Sequence, residues 1–351
     1  MGLCWVRWKK DRMNPSAETR GQIVLVAALF VATMLVSLAL VLNAGIFAEN
    51  ISSRGTASVD GATAYAADAD RTITEAATRT GTSDAATAAN SQSVFVAIVD
   101  DWARSRSRTA AEVGAVAELE WTSHIGWRLQ QTTNRRYMPE GETATSDWTV
   151  TEGVPNVSTM QFEAETSSLY DAGTAFEDTA DEAFRLNVSD GTTTWELYLF
   201  REAADGRFIA HVGDPSSATD LSTLLGESST CDVVAGQPTV DLRAATLDGD
   251  DCPALEFADD LDGPVTIRYE NVYNSTAGEN RIVGGYDILV NGSTAVATNA
   301  TGHPEDFSVP GGSDPTAQAL VYSVNYRTHY EREEVLSVRD GRYEPFEEAY
   351  P

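Results

Sequence analysis

The sequence predicts an α+β protein, with an N-terminal transmembrane helix and a helical stalk followed by an antiparallel β-sandwich-like domain. Three observations predict it. Ile23 to Ala48 contains no charged residue. The stretch beyond it is rich in alanine, which favours helix. From about Asp147 apolar and polar residues alternate, the period of a half-buried strand. The chain accordingly divides into a basic leader (1–21), a membrane helix (22–48), a helical stalk region (49–146) and a β-sandwich (147–351). Of its 351 residues 42% are hydrophobic, enough for a packed core.

Fifteen positions of 23–48 are Leu, Ile, Val or Phe. At about 1.5 Å per residue, such a helix crosses a hydrocarbon layer about 30 Å thick. Each of these residues favours insertion by about 0.3–0.6 kcal/mol, and no charge opposes them. A cleaved secretory signal would have an apolar core of only about 7–15 residues and a small-residue site behind it. Glu49-Asn50-Ile51 is no such site. Arg7, Lys9, Lys10, Arg12 and Arg20 precede the helix and only Arg54 closely follows it. The N-terminus is therefore expected in the cytoplasm and the bulk outside, a single pass through the cell membrane with the lipid bilayer as partner.

Charge narrows the partners. There are 53 acidic and 24 basic residues, a net −29, and both lysines lie in the leader. Phosphates would be repelled, so nucleic acid is excluded. The acids are spread along the exported part rather than clustered. This favours a halophilic surface over a cation-binding one, because molar salt shortens the Debye length to about 3 Å and screens the repulsion. At low salt the same repulsion should destabilise the fold.

Cys231 and Cys252 are the two cysteines beyond the membrane helix, and in an oxidising exterior a disulfide between them is expected to stabilise by about 3 kcal/mol. No Cys/His ligand spacing occurs, so no metal or other cofactor is expected. N-x-S/T sequons at Asn50, Asn156, Asn187, Asn274, Asn291 and Asn299 suit a cell-surface glycoprotein.

Arg20-Gly21-Gln22 at the end of a basic leader, with the apolar helix directly behind it, resembles the class III signal of archaeal type IV pilin-like proteins. The first 50 residues also look like the beginnings of haloarchaeal surface proteins. The resemblance implies cleavage by a prepilin peptidase between Gly21 and Gln22, and packing of the apolar helix with other pilin-like subunits in a filament core. Many pilins carry glutamate at the fifth mature position, and here that position is Val26. The alternative is an uncleaved membrane-anchored binding or adhesion protein that recognises a glycan, an ion or a partner protein.

In the stalk, Val59, Ala62, Ala66 and Ile73 fall on one helical face, with Gly55, Gly61 and Gly81 weakening it. A better helix spans Ser83 to Arg104, with Val94, Phe95, Ile98 and Trp102 in a stripe. Thr109-x-x-Glu112 reads as a capping box that opens another helix through Val113, Val116 and Leu119. Arg104, Arg106 and Arg108 are read as pairing locally with Asp100, Asp101 and Glu112.

In the β domain, alternation marks strands at Phe184–Val188, Trp195–Leu199, Phe208–Val212, Val265–Tyr269, Tyr286–Val290 and Leu320–Tyr330. A last one near Val335–Val338 is expected to end in a turn at Asp340-Gly341. Residues 213–262 read as a long loop tied by the cysteines. Its acids, Asp248, Asp250, Asp251, Asp259, Asp260 and Asp262, do not follow a calcium-loop spacing. Of the histidines, His124 is read as helical, His211 and His329 as surface imidazoles, and His303 falls outside any pattern. No nucleophile elbow, H-E-x-x-H pair or Walker loop is present, so the protein is not expected to be an enzyme.

Overall fold

Alanine-rich sequence with no proline carries the first helix, α1, without a break from Ala17 to Thr82, through the glycines expected to weaken it. The computed structural model describes residues 17–82, 87–172, 179–217, 221–261, 263–292, 306–333 and 335–344. By their contacts these fall into two units, Met1–Thr63 with Glu333–Val335, and Ala64–Arg332 with Leu336–Pro351. In the first, Val24–Ala44 is long and apolar enough to cross a membrane, and none of it is buried.

In the second unit, the end of α1 buries Ala69, Ile73, Ala76 and Thr80 completely, at the three- to four-residue spacing of one helical face. Val59 is exposed instead. Helix α2 (Ala88–Glu112) starts at Thr87, whose hydroxyl accepts from the amide of Asn90, and buries Ser91, Phe95 and Val99. The helices are joined through Asp68. The indole of Trp102 donates to its carboxylate over 3.1 Å, Arg106 pairs with it, and Tyr65 stacks on Trp102 at 5.5 Å. Arg104 pairs with Asp101, so the arginine cluster is spent partly within α2 and partly between helices.

Thr109-x-x-Glu112 is the last turn of α2 rather than the start of another helix, and the 49–146 region is not wholly helical. Gly114, at φ +73°, turns the chain out in a conformation that costs side-chain-bearing residues about 1–2 kcal/mol. The next element is a strand, β1 (Val116–Arg136). Leu119, Trp121, Ile125, Trp127 and Leu129 alternate along it, a period-two signal that outweighs the helical spacing of Val113, Val116 and Leu119. His124 is therefore on a strand.

Two sheets form the rest. The larger has the order β11 (Asp250–Asp251), β10 (Thr246–Leu247), β9 (Thr239–Asp241), β3 (Asn156–Ala164), β15 (Val283–Asn291), β1, β16 (Thr316–Arg332), β17 (Val335–Tyr343). The smaller has β2 (Trp148–Val154), β12 (Val265–Glu270), β5 (Phe184–Ser189), β6 (Thr194–Glu202), β7 (Phe208–Val212) and β8 (Thr230–Val233), with β4 (Asp171–Ala172) parallel to β6. A ribbon of β13 (Tyr273–Asn274) and β14 (Glu279–Asn280) lies apart from them in the pairing. Short helices α3 (Thr179–Glu182) and α4 (Leu221–Leu224) occur near the outer face of β6 and β7, where Tyr198, Phe200, Ile209 and Leu224 cluster. The expected loop over 213–262 thus contributes four strands. Asp340-Gly341 is strand interior rather than a turn, and its glycine leaves room for the ring of Tyr326, which lies where a Cβ on Gly341 would sit.

The two sheets close over one core, with Trp127, Leu129, Phe162, Phe184, Leu197 and Ile288 among its members. The long strands β1 and β16 also carry a second core. Leu129, Trp127 and Ile125 pair with Ala317, Ala319 and Val321; then Ser123 and Trp121 pair with Val324 and Tyr326. The register shift between His124 and Ile125 inserts Tyr322 as an extra residue. All of these paired residues consequently stay on one face. The first pairs join the inter-sheet core, while Val321, Val324, Tyr326, Leu119 and Trp121 pack with Ile73, Phe95 and Val99 of the helices. Beside the bulge, the amide of Val321 donates to Thr80 Oγ1 (2.9 Å) and the carbonyl of Ala319 accepts from Ser91 Oγ (2.6 Å).

Next to the bulge lies Gly126, where an added Cβ would come within 2.4 Å of the Val290 carbonyl oxygen and 2.9 Å of the Tyr322 side chain. Gly126→Ala is expected to lower stability by about 1–3 kcal/mol through overpacking. Denaturant titration should show an earlier midpoint with an unchanged slope; an unchanged midpoint would mean that the bulge is not tightly packed.

Candidate functional site

The outer face of the larger sheet carries a row of polar side chains fixed by strand register. Gln130 of β1 stands opposite Asp287 of β15, which stands opposite Gln161 of β3, and that opposite Asp241 of β9. Adjacent strands place such neighbours about 4.8 Å apart. Both carboxylates are engaged. Arg128 holds Asp287 with Nε 2.9 Å from one carboxylate oxygen and 3.1 Å from the other, and this hydrogen bonding raises the guanidinium pKa against the cost of burial. Asp241 accepts from Gln161 at 2.7 Å and from the amides of Arg243 and Ala244.

Beside this row Gly285 leaves a notch. A Cβ there would lie 2.7 Å from the Gln131 carbonyl oxygen, so the position has no room for a side chain. The resulting groove of about 320 Å³ is lined by four glutamines, Gln130, Gln131, Gln161 and Gln237, with Glu163 and Asp287 its charged members. Gln131 is nearly fully buried: its Nε2 donates to the carbonyls of Arg135 and Gly284, while its Oε1 has no partner among the described residues. A primary amide offers one acceptor and two donor hydrogens, so the groove suits ligands dense in hydroxyl or amide groups.

Two other cavities are less suited to a ligand. One of about 870 Å³ lies beside the Cys231–Cys252 disulfide and is lined by Asp251, Glu256, Asp259 and Asp260. Among the described residues no group of three or more His, Cys, Asp or Glu could hold a metal. The other, about 180 Å³, is occupied at its margin by the ion pair of Arg281 with Glu182.

The sequence-derived residues are dispersed. Gly21 and Gln22 lie in α1, and the side chain of Gln22, like that of Asn50, is outside the described atoms. Asn299, His303, Asp262 and residues 1–16 are outside the described residues. Cys231 and Cys252 are bonded, with Cα atoms 5.8 Å apart, joining β8 to the segment after β11. Of the sequons, Asn156 is exposed at the start of β3 and Asn291 is half-buried at the end of β15. Asn187 is half-buried in mid-strand with its Oδ1 unpartnered among the described residues. Asn274 is engaged, its amide donating to Glu182 at 2.8 Å and its oxygen accepting from Thr276 and Ala277. The glutamine groove is hidden in the sequence because its members come from separate strands and loops; the alternation of Gln161 and Glu163 with Met160 and Phe162 is the one local signal of it.

Residues 17–136 match a family of unknown function (DUF7261), about a third of the chain. The match covers α1, α2 and β1 and ends where β1 ends. No curated protein and no solved structure matches the chain.

His211, expected on the surface, is buried on β7 with Nδ1 2.8 Å from Thr230 Oγ1. Burial lowers its pKa, against the opposing pull of Glu227 and Asp214. Below about pH 6.5 the unfolded chain thus binds a proton that the folded chain still refuses. This contribution is fully present above that pH and is lost as pH falls through the lowered folded value. Imidazole NMR of the folded protein should give His211 a pKa below the ordinary value, and His211→Gln should flatten the acid limb of stability against pH. A normal pKa would contradict its burial.

Proposed function

We propose that this chain is a single-pass cell-surface protein, a pilin-like or pseudopilin-like component of an archaeal surface structure, with its N-terminus in the cytoplasm and its bulk outside. One observation supports this above the rest: a single continuous helix has two different kinds of surface. Its large apolar residues from Val24 to Leu42 are 56–71% exposed, whereas Ala69, Ile73 and Ala76 are fully buried under the sheet's helical cover. Apolar surface left in water costs roughly 25 cal/mol per Å², so the uncovered segment calls for lipid or for similar helices. A membrane supplies the first and a filament core the second, which is the order of events that processing after Gly21 would allow. The acidic exported part fits a saline exterior, and among the sequons with described side chains the exposed Asn156 is the one best presented for glycosylation.

The second reading, an uncleaved anchored binding protein, is favoured by the glutamine groove, a concave polar site on the sandwich with no need of a filament. The mature N-terminus separates the two. Intact mass of the membrane-extracted protein is expected to show a chain beginning at Gln22, with Gly21→Val retaining the leader. A native chain that still carries residues 1–21 would sink the pilin-like reading and leave the anchored binder.

A further inference from the structure

We propose that the groove over Gly285 binds a neutral oligosaccharide. This rests on the binding reading of the sandwich and holds whether or not the leader is removed. Among the described residues lining the groove there is no lysine or arginine, while Glu163 and Asp287 contribute carboxylates. Asp287 is already paired with Arg128, so no lining cation is left for a phosphate, sulfate or uronate ligand, which would also meet the Glu163 carboxylate and the acidic surface around it.

The groove offers amide chemistry in a fixed row. Gln130 of β1 and Gln161 of β3 flank Asp287 of β15, Gln237 lies in the segment before β9, and Gln161 is already oriented by its 2.7 Å bond to Asp241. The side chains of Gln130 and Gln237 make no hydrogen bond among the described residues, so their donors and acceptors are available. Gln131 Oε1 is buried and has no partner among the described residues, so its desolvation is uncompensated among them. A sugar hydroxyl donates and accepts at once. A run of vicinal hydroxyls thus complements a run of primary amides better than a hydrocarbon, a cation or a backbone strand would. The volume, about 320 Å³, is at the small end of ligand sites, suiting one or two sugar rings of a longer chain that passes over the open sheet face. Gly285 is the positioning element, since any side chain there would both strike Gln131 and fill the notch.

The test uses the full chain in detergent micelles and three probes, maltohexaose, cellohexaose and a mannose hexamer, with oligogalacturonate as the charged counterpart. Calorimetric titration is expected to show at least one neutral hexamer binding, with oligogalacturonate bound at least about tenfold more weakly. Gln130→Ala and Gln161→Ala should each weaken that binding by about tenfold, equivalent to about 1.4 kcal/mol. Their thermal midpoints should stay at the parent value, which separates loss of a contact from loss of the fold. Failure to bind all three hexamers overturns the proposal, as does equal affinity for oligogalacturonate, or binding indifferent to both substitutions. None of these outcomes bears on the N-terminal mass, so the two readings fail independently.

Discussion

The ladder between β1 and β16 is the interaction on which the rest depends. One face of this strand pair serves as a wall for two cores, the space between the sheets and the space beneath the helices. A slip of one residue would turn the core residues of one strand, Trp127 and Leu129 of β1 or Val324 and Tyr326 of β16, to the outer face and strip a wall from the cores they line. The extra residue at Tyr322 is tolerated because Gly126 gives it room, and it keeps the apolar residues on either side in phase. His124 and Ser323, neighbours in the ladder, are 199 residues apart in sequence. Closing so long a loop precedes the reward from either core, so the topology favours slow folding from distant parts of the chain.

The same dependence explains the extent of the family match. Residues 17–136 contain both helices and β1, yet the apolar face they share is closed by Val321, Val324 and Tyr326 and flanked by Tyr343. The matched segment is one side of a core whose other side comes from the end of the chain. The glutamine groove is composite in the same way, taking Gln130 from β1, Asp287 from β15 and Gln161 from β3. A site of this kind exists only once the sheet has formed.

Local patterns were legible where local physics decides. Strands β5, β6, β7, β12, β15 and β16 are visible as period-two alternation, since each turns one apolar face to the core, although on β6 and β7 Tyr198, Phe200 and Ile209 make the other face apolar and buried as well. The stripe of Phe95 and Trp102 marked α2, because a helix packed on one side shows its period. The misread region, 109–130, holds signals for both periods, and the choice between them lies in Gly114 and in a partner strand far along the chain. His211 was misjudged because alternation reports the face of a sheet but not whether that face is covered.

By itself the sequence determined the apolar helix, the basic stretch ahead of it, the acidic character of the residues beyond it and the change from helical to strand periodicity near the middle of the chain. Each of these follows from composition or from spacing within a few residues, which the chain carries before it folds. Tertiary structure alone decided that β1 is a central strand, that α1 shares a core with the last strands, and that Gln130, Asp287, Gln161 and Asp241 form a row. The physical reason is that these neighbours are set by hydrogen-bond register between distant segments. Register is fixed by the fit of both cores at once, and no single stretch of residues contains it.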